Sequence, residues 1–384
     1  MTWDFETPPD RRNSASQKWD KYAQRDVIPL WVADMDFTSP EPVLRALHQR
    51  IEHGVMGYTL PPASLVTAVQ EYLHRRYAWT IEPDWLVWLP GLVTGLNVAC
   101  RAVGSPGDEV ITATPVYPPF LTAPVHAGRQ RVAVPMAADR DRWQWDFDRL
   151  DAAAGSRARL LLLCSPHNPV GRVFSKTELE RLVEWCNRRD VIICSDEIHC
   201  DLVLDRERPH IPTATLNAAA RDRTITLMAP SKTFNIPGLG CAFAVIAAPE
   251  LRRRFRRAMA GIVPSVNLMG YVAAEAAYRH GWAWHAALLE VLRANRDRVQ
   301  AAVRAMPGLA TWPVEATYLT WIDVRPSGIE QPAAFFEDGG VGLSDGAEFG
   351  LPGFVRLNFG CAPDLLEKAL ARMAAALGAN DQTL

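Results

Sequence analysis

Five short runs of almost unbroken apolar residues recur along the chain: EVITAT (109–114), RLLLLC (159–164), VIICSD (191–196), TITLMA (224–229) and CAFAVIA (241–247). A strand that is apolar on both faces can border water on neither, so such runs belong in a sheet covered by helices on both sides. The intervals supply the helices. Val43, Leu44, Leu47 and Ile51 fall at helical spacing after Pro40, as do Leu65, Val66, Val69 and Leu73. Ser175-Lys176-Thr177-Glu178 has the form of a capping box opening another. Strands alternating with helices predict an α/β fold around a mostly parallel sheet. The pattern changes near residue 284. A long helix is expected over Trp284–Met306, then strands in ATYLTWIDV (316–324) and GFVRLNFG (353–360), then a helix over Asp364–Leu377. This predicts a large domain over 40–283 and a smaller α+β domain built from 1–39 and 284–384, a division that 384 residues accommodate.

The charge balance narrows the partners. Forty-one Lys and Arg against 43 Asp and Glu leave a net charge of −2, with no basic excess to hold a nucleic acid. No apolar run approaches the roughly 18 residues of a membrane span, and the polar start MTWDFETPPDRRNSASQ lacks a signal-peptide core. Seven cysteines, with no CxxC pair and mostly inside apolar runs, read as reduced, buried thiols of a cytoplasmic protein, neither a disulfide framework nor a zinc site. Only five of the 41 basic residues are lysines: Lys18, Lys21, Lys176, Lys232 and Lys368.

Polar clusters stand at four strand ends, where open α/β sheets bind ligands. Pro90-Gly91-Leu92-Val93-Thr94-Gly95 precedes a helical pattern, so its backbone N–H groups suit a phosphate, although a glycine turn alone is often a mere turn. SPHNPVGRVF sets the Asn168 amide just past a strand, which also describes an ordinary Asx-turn. In CSDEIH, Asp196 ends an apolar strand, where a charge is costly unless a cation such as a protonated ring nitrogen meets it; a surface ion pair with an arginine is the alternative. His199 by itself reads equally as a structural histidine. In MAPSKTFN, Lys232 lies between apolar stretches, whereas its four rivals have polar neighbours. A desolvated lysine can form a Schiff base, and one that snorkels to solvent cannot. Together a phosphate cradle, an amide, an Asp and a lysine are the parts that pyridoxal phosphate requires.

The chain resembles fold-type I pyridoxal-phosphate enzymes of the aminotransferase class I/II superfamily, and more narrowly the MalY/PatB branch of cystathionine β-lyases and C–S lyases. IPLWVADMDFTSPEPV, GYTLPP, PVYPPF, SPHNPVGRVF, SDEIHCDLV, SKTFNIPGLG and FVRLNFG carry the resemblance from residue 28 to 360. It implies a catalytic set of Lys232 (the Schiff-base lysine), Asp196 (paired with the pyridine nitrogen) and Tyr117 (stacked on the cofactor ring). Asn168 is implied at the ring 3-oxygen with His199 near it, and Arg356, with Asn168, at the substrate carboxylate, a role that suits a guanidinium fork. The backbone of Leu92 and Val93, with Ser231, would hold the phosphate. Tyr58 would reach the phosphate of a neighbouring subunit, implying a homodimer with sites at the interface. Two positions depart from the wider superfamily: Ala229 stands where a phosphate-binding serine is common, and Gly240 where a basic residue is common.

The expected reaction is β-elimination from cystathionine or a related cysteine S-conjugate, giving thiol, pyruvate and ammonia. Lys232, Asp196 and Arg356 would serve an aminotransferase equally well. A catalytically silent interaction protein would have no need of the full set.

Overall fold

The computed structural model describes residues 3–139 and 141–381. All five apolar runs enter one seven-stranded sheet. Its strands in chain order are β1 (Leu86–Leu89), β2 (Glu109–Thr114), β3 (Gln130–Pro135), β4 (Ala158–Cys164), β5 (Ile192–Asp196), β6 (Thr224–Met228) and β7 (Ala242–Val245). Across the sheet the order is β1-β7-β6-β5-β4-β2-β3. Strands β2 to β6 are parallel to their neighbours, as expected, while β7 runs antiparallel to both β6 and β1. The two edge strands escape the pattern in the sequence. LVWL is only four residues long, and four of the six residues of QRVAVP are exposed.

The double-sided burial has a simple basis. Successive strand side chains point to opposite faces, so within β4 Leu160 and Leu162 pack with Leu96 and Ala99 of α3 (Leu92–Ala102). Leu161 and Leu163 pack instead with Leu182, Val183 and Trp185 of α4 (Lys176–Arg188). The Ser175–Glu178 capping box forms reciprocally at the start of α4. Further along the sheet, Phe243 and Val245 lie against the helices 63–77, 268–280 and 282–305. Gly281 separates the last two; a Cβ there would meet the ring of Phe234 at 2.6 Å, so glycine lets the segment after Lys232 pack into the junction.

A second sheet, antiparallel, lies C-terminal to these elements: β8 (Ala310–Thr311), β9 (Leu319–Asp323), β10 (Ser344–Asp345) and β11 (Phe354–Asn358), in the order β8-β9-β11-β10. The segment 28–29 pairs with 341–342, which brings the N-terminus onto this part of the molecule. The N-terminal stretch, irregular in sequence, is fixed by charge. Asp36, almost fully buried, accepts from Lys18 Nζ (2.8 Å), Arg11 Nη1 (2.6 Å) and Trp19 Nε1 (2.9 Å). Arg11 also binds Asp34 at 2.7 Å. Removing one member of a buried ion pair strands the other in low dielectric, at a cost of about 3–5 kcal/mol. Lys18→Met is therefore expected to lower stability by about 3 kcal/mol, read as a lower midpoint in chemical denaturation monitored by tryptophan fluorescence.

Candidate active site

The carboxyl ends of β2, β4, β5 and β6 and the N-terminus of α3 converge on a cavity of about 340 Å³, closed from the other side by residues 31–33, Ser344, Phe349 and Arg356. Hydrogen bonds between loops hold the strand ends in step: Ser165 N donates to Asp196 O (2.9 Å), Glu197 N to Leu227 O (2.9 Å) and Tyr117 N to Asn168 O (3.2 Å). Of the ten residues singled out in the sequence, Leu92, Val93, Tyr117, Asn168, Asp196, His199, Ser231, Lys232 and Arg356 line this space. Tyr58 does not. It stands wholly exposed on the loop after the helix 41–52, so its own chain gives it no part in the cavity.

Burial sets the electrostatics. It pulls the Lys232 amine down to about 8; the charge of Arg356 adds to this, while Asp34 and Asp196 oppose it. Lys232 Nζ donates to Ala33 O, which also accepts from Tyr318 Oη at 2.9 Å. Burial likewise pushes the Asp196 carboxyl up to about 7, with Glu197 adding; the Ile198 N–H, 3.1 Å from Oδ1, and Lys232 oppose it. His199 is held down to about 3 by burial and by the charges of Lys232 and Arg356, so it is neutral. Its Nδ1 is buried and has no hydrogen-bond partner.

Lys232 is not the only buried lysine. Lys18 is buried more deeply than Lys232, which its polar sequence neighbours did not suggest, and its amine is consumed by the ion pair with Asp36. Lys232 alone of the five faces the cavity.

Arg356 and Asn168 are coupled. Arg356 Nη1 donates to Asn168 Oδ1 at 3.1 Å, which leaves the Asn168 amide nitrogen to donate to an oxygen in the cavity. Arg356 Nη2 donates to Trp31 O at 2.7 Å, and its Nε is buried without a partner. The guanidinium lies 4.8 Å above the Phe349 ring. At the opposite wall α3 starts at Gly91 with no side-chain cap, so its first N–H groups, at Leu92 and Val93, are free for an anion. A Cβ on Gly91 would meet nothing within 4 Å, so the space there is open. Gly240, one of the two departures noted in the sequence, has φ +57°, and a Cβ on it would come within 3.2 Å of Pro90 O. The turn beside the cradle therefore favours glycine over a basic side chain.

Several contributors were not singled out from sequence. The Ala33 carbonyl accepts from both the Lys232 amine and the Tyr318 hydroxyl, and Ser344 Oγ lies 3.3 Å from Arg356 Nη2. Asn235 fastens the strap over the cavity, donating to Met35 O (3.0 Å) and Phe37 O (2.7 Å) and accepting from Met35 N (3.0 Å). Buried Asp201 accepts from Tyr72 (2.8 Å), Tyr77 (2.7 Å) and Thr233 (3.2 Å), tying the helix 63–77 to the residue next to Lys232. Asn235 and Asp201 lie within quoted motifs, but only spatial neighbours reveal what their side chains hold.

Comparison with known proteins agrees with this geometry. Residues 25–373 match the family "Aminotransferase class I and II". The chain belongs to this family. Cystathionine β-lyase PatB of Bacillus subtilis is 35% identical over 97% of this chain and 99% of its own. The crystal structure of OvoB superposes with a TM-score of 0.96 at 48% identity, covering 98% of this chain and 99% of that one. A PLP-bound C–S lyase from Staphylococcus hominis superposes with a TM-score of 0.91 at 30% identity, covering 98% of each chain.

An amine titrating near 8 is half neutral where an ordinary lysine, near 10.4, is almost wholly charged. In the cofactor-free protein, reductive alkylation of Lys232 by a small aldehyde and borohydride should therefore rise with pH and level off above about 8. Lys21, whose partial burial is outweighed by Tyr22 and Glu337 so that it is held above the ordinary lysine value, should keep rising beyond pH 9, as peptide mapping by mass spectrometry would show.

Proposed function

We propose that this chain is a pyridoxal-phosphate-dependent carbon–sulfur lyase that removes a thiol from the β-carbon of a cysteine S-conjugate, of which cystathionine is the type, leaving pyruvate and ammonia. The observation that carries this reading is the meeting of a buried, partly neutral lysine, a buried aspartate and an arginine around one cavity with an open anion cradle. The cofactor suits what the site lacks. A cationic ring nitrogen would compensate Asp196, a ring oxygen would meet the Asn168 amide and the unpartnered His199, and a phosphate would fill the N-terminus of α3.

Pyridoxal phosphate supplies an aldehyde for covalent attachment and a ring that accepts electrons from the substrate α-carbon. The rest falls to the protein. Lys232 Nζ would anchor the aldehyde and, as a free amine, would be the base for the α-proton, for which a pKa near the working pH is the best compromise. Asp196 keeps the ring nitrogen protonated. Arg356 and the Asn168 amide orient the substrate carboxylate, and Tyr117 packs on the ring face. The N–H groups of Leu92 and Val93, with the Ser231 hydroxyl, hold the phosphate. PatB and the S. hominis enzyme, a cystathionine β-lyase and a C–S lyase, support elimination over amino transfer.

Tyr58 acts, in this reading, across a homodimer interface, reaching the phosphate site of a second copy. Its complete exposure, amid the exposed apolar side chains Val55, Met56 and Leu60, supports a covered position in the dimer. All seven cysteines are free and buried, and no described helix is long and apolar enough to cross a membrane; we assign the protein to the cytoplasm.

Incubation with cystathionine should yield thiol and pyruvate in equal amounts, and incubation with an amino acid and 2-oxoglutarate should yield no glutamate. Glutamate without thiol would overturn the lyase reading in favour of an aminotransferase. Lys232→Ala should reduce pyruvate formation at least ~1,000-fold, since it removes both the covalent anchor and the base. Tyr58→Phe should weaken cofactor retention on dilution about tenfold, one lost hydrogen bond to a charged group, while leaving the dimer intact by light scattering.

A further inference from the structure

Four ionisable side chains that carry charge line the cavity: Asp196, Lys232, Arg356 and Glu348. The lyase reading employs the first three and leaves Glu348 without a task. Its place is well defined. It lies on the single turn Gly346–Phe349, whose start is capped by Asp345 accepting from Ala347 N at 2.9 Å. The next residue, Phe349, supports the Arg356 guanidinium. Among the described residues, no side chain or backbone N–H hydrogen-bonds to the Glu348 carboxylate, and no cation stands within 4 Å of it. The rest of this wall is uncharged: Trp31, Pro118, Phe120 and Phe349, with the Gln17 amide. Neither a second arginine nor a second lysine lines the cavity beside Arg356 and Lys232.

Glu348 shares the field of Arg356, and once a substrate α-carboxylate neutralises that guanidinium the remainder of the conjugate faces a wall with one negative charge and no positive one. We propose that Glu348 is the specificity-determining residue for the leaving group. The thiol that departs carries a protonated nitrogen, and conjugates whose leaving group ends in a carboxylate with no ammonium beside it are disfavoured. The inference rests on the lyase reading for its chemistry, but not for its electrostatics. Elimination breaks the Cβ–S bond, the electron pair leaves with sulfur, and Glu348 takes no proton in the step; it acts on binding alone. Because Glu348 is exposed, its attraction is screened, and a preference of about two- to fivefold is the expected scale.

The test uses the holoenzyme and three conjugates of nearly equal size: S-aminoethyl-, S-ethyl- and S-carboxymethyl-cysteine. The expected order of kcat/KM is aminoethyl above ethyl above carboxymethyl, with about two- to fivefold per step. Glu348→Gln should compress that order toward unity, and 0.5 M salt should partly do the same. A flat or inverted order, or an order unchanged in E348Q, overturns the proposal. The carbon analogues lysine, norleucine and 2-aminoadipate have no β-sulfur to lose. Their binding, read from the cofactor absorbance or from thermal shift, should follow the same order and the same dependence on Glu348. If no conjugate yields pyruvate, the lyase reading fails. The analogue affinities then still decide for or against Glu348.

Discussion

The site depends on charges buried at the carboxyl ends of parallel strands. Lys232, Asp196 and Arg356 have all lost most of their water, and each is shifted toward its neutral form by that loss. The charges they offer one another offset only part of this, and two buried nitrogens, His199 Nδ1 and Arg356 Nε, have no partner at all. An arrangement of this kind is costly for a protein to hold without a ligand that completes it. The cofactor and a substrate carboxylate are ligands that would complete it.

Holding these groups apart and in register falls to residues that touch neither cofactor nor substrate. Leu160 to Leu163 alternate between two cores and fix β4, and hence the Asn168 turn, from both faces. Asp201 couples the helix 63–77 to Thr233, and Asn235 couples the Lys232 turn to the strap that supplies Ala33. Buried polar networks that are fully satisfied rigidify their surroundings. Here they surround Lys232.

The same contrast separates Lys18 from Lys232. Both are withdrawn from water, Lys18 fully and Lys232 in large part. Lys18 meets Asp36 at 2.8 Å and serves as a structural rivet. Lys232 has a carbonyl for its nearest partner, with Asp34 and Asp196 further off, and so stays titratable near 8. Pairing, and not depth, divides a structural lysine from a reactive one.

By itself the sequence determined the interior strands of the large sheet, since a run apolar on both faces admits hardly any other environment. It also determined the residue types gathered at their ends, since Asn168, Asp196 and Lys232 each follow such a run directly. The edge strand 130–135 was illegible because four of its six residues are exposed and the apolar signal fades, and 86–89 because four apolar residues are too short a run to mark a strand. The reversed direction of β7 was illegible for another reason: a buried strand has the same composition whichever way it runs. Only the tertiary structure decided that Ala33, Tyr318 and Ser344 join the site, that Lys18 is spent on Asp36, and that Glu348 faces the cavity unpaired. Those are facts about which distant segments meet, and partners some 200–300 residues apart leave no periodic trace along the chain.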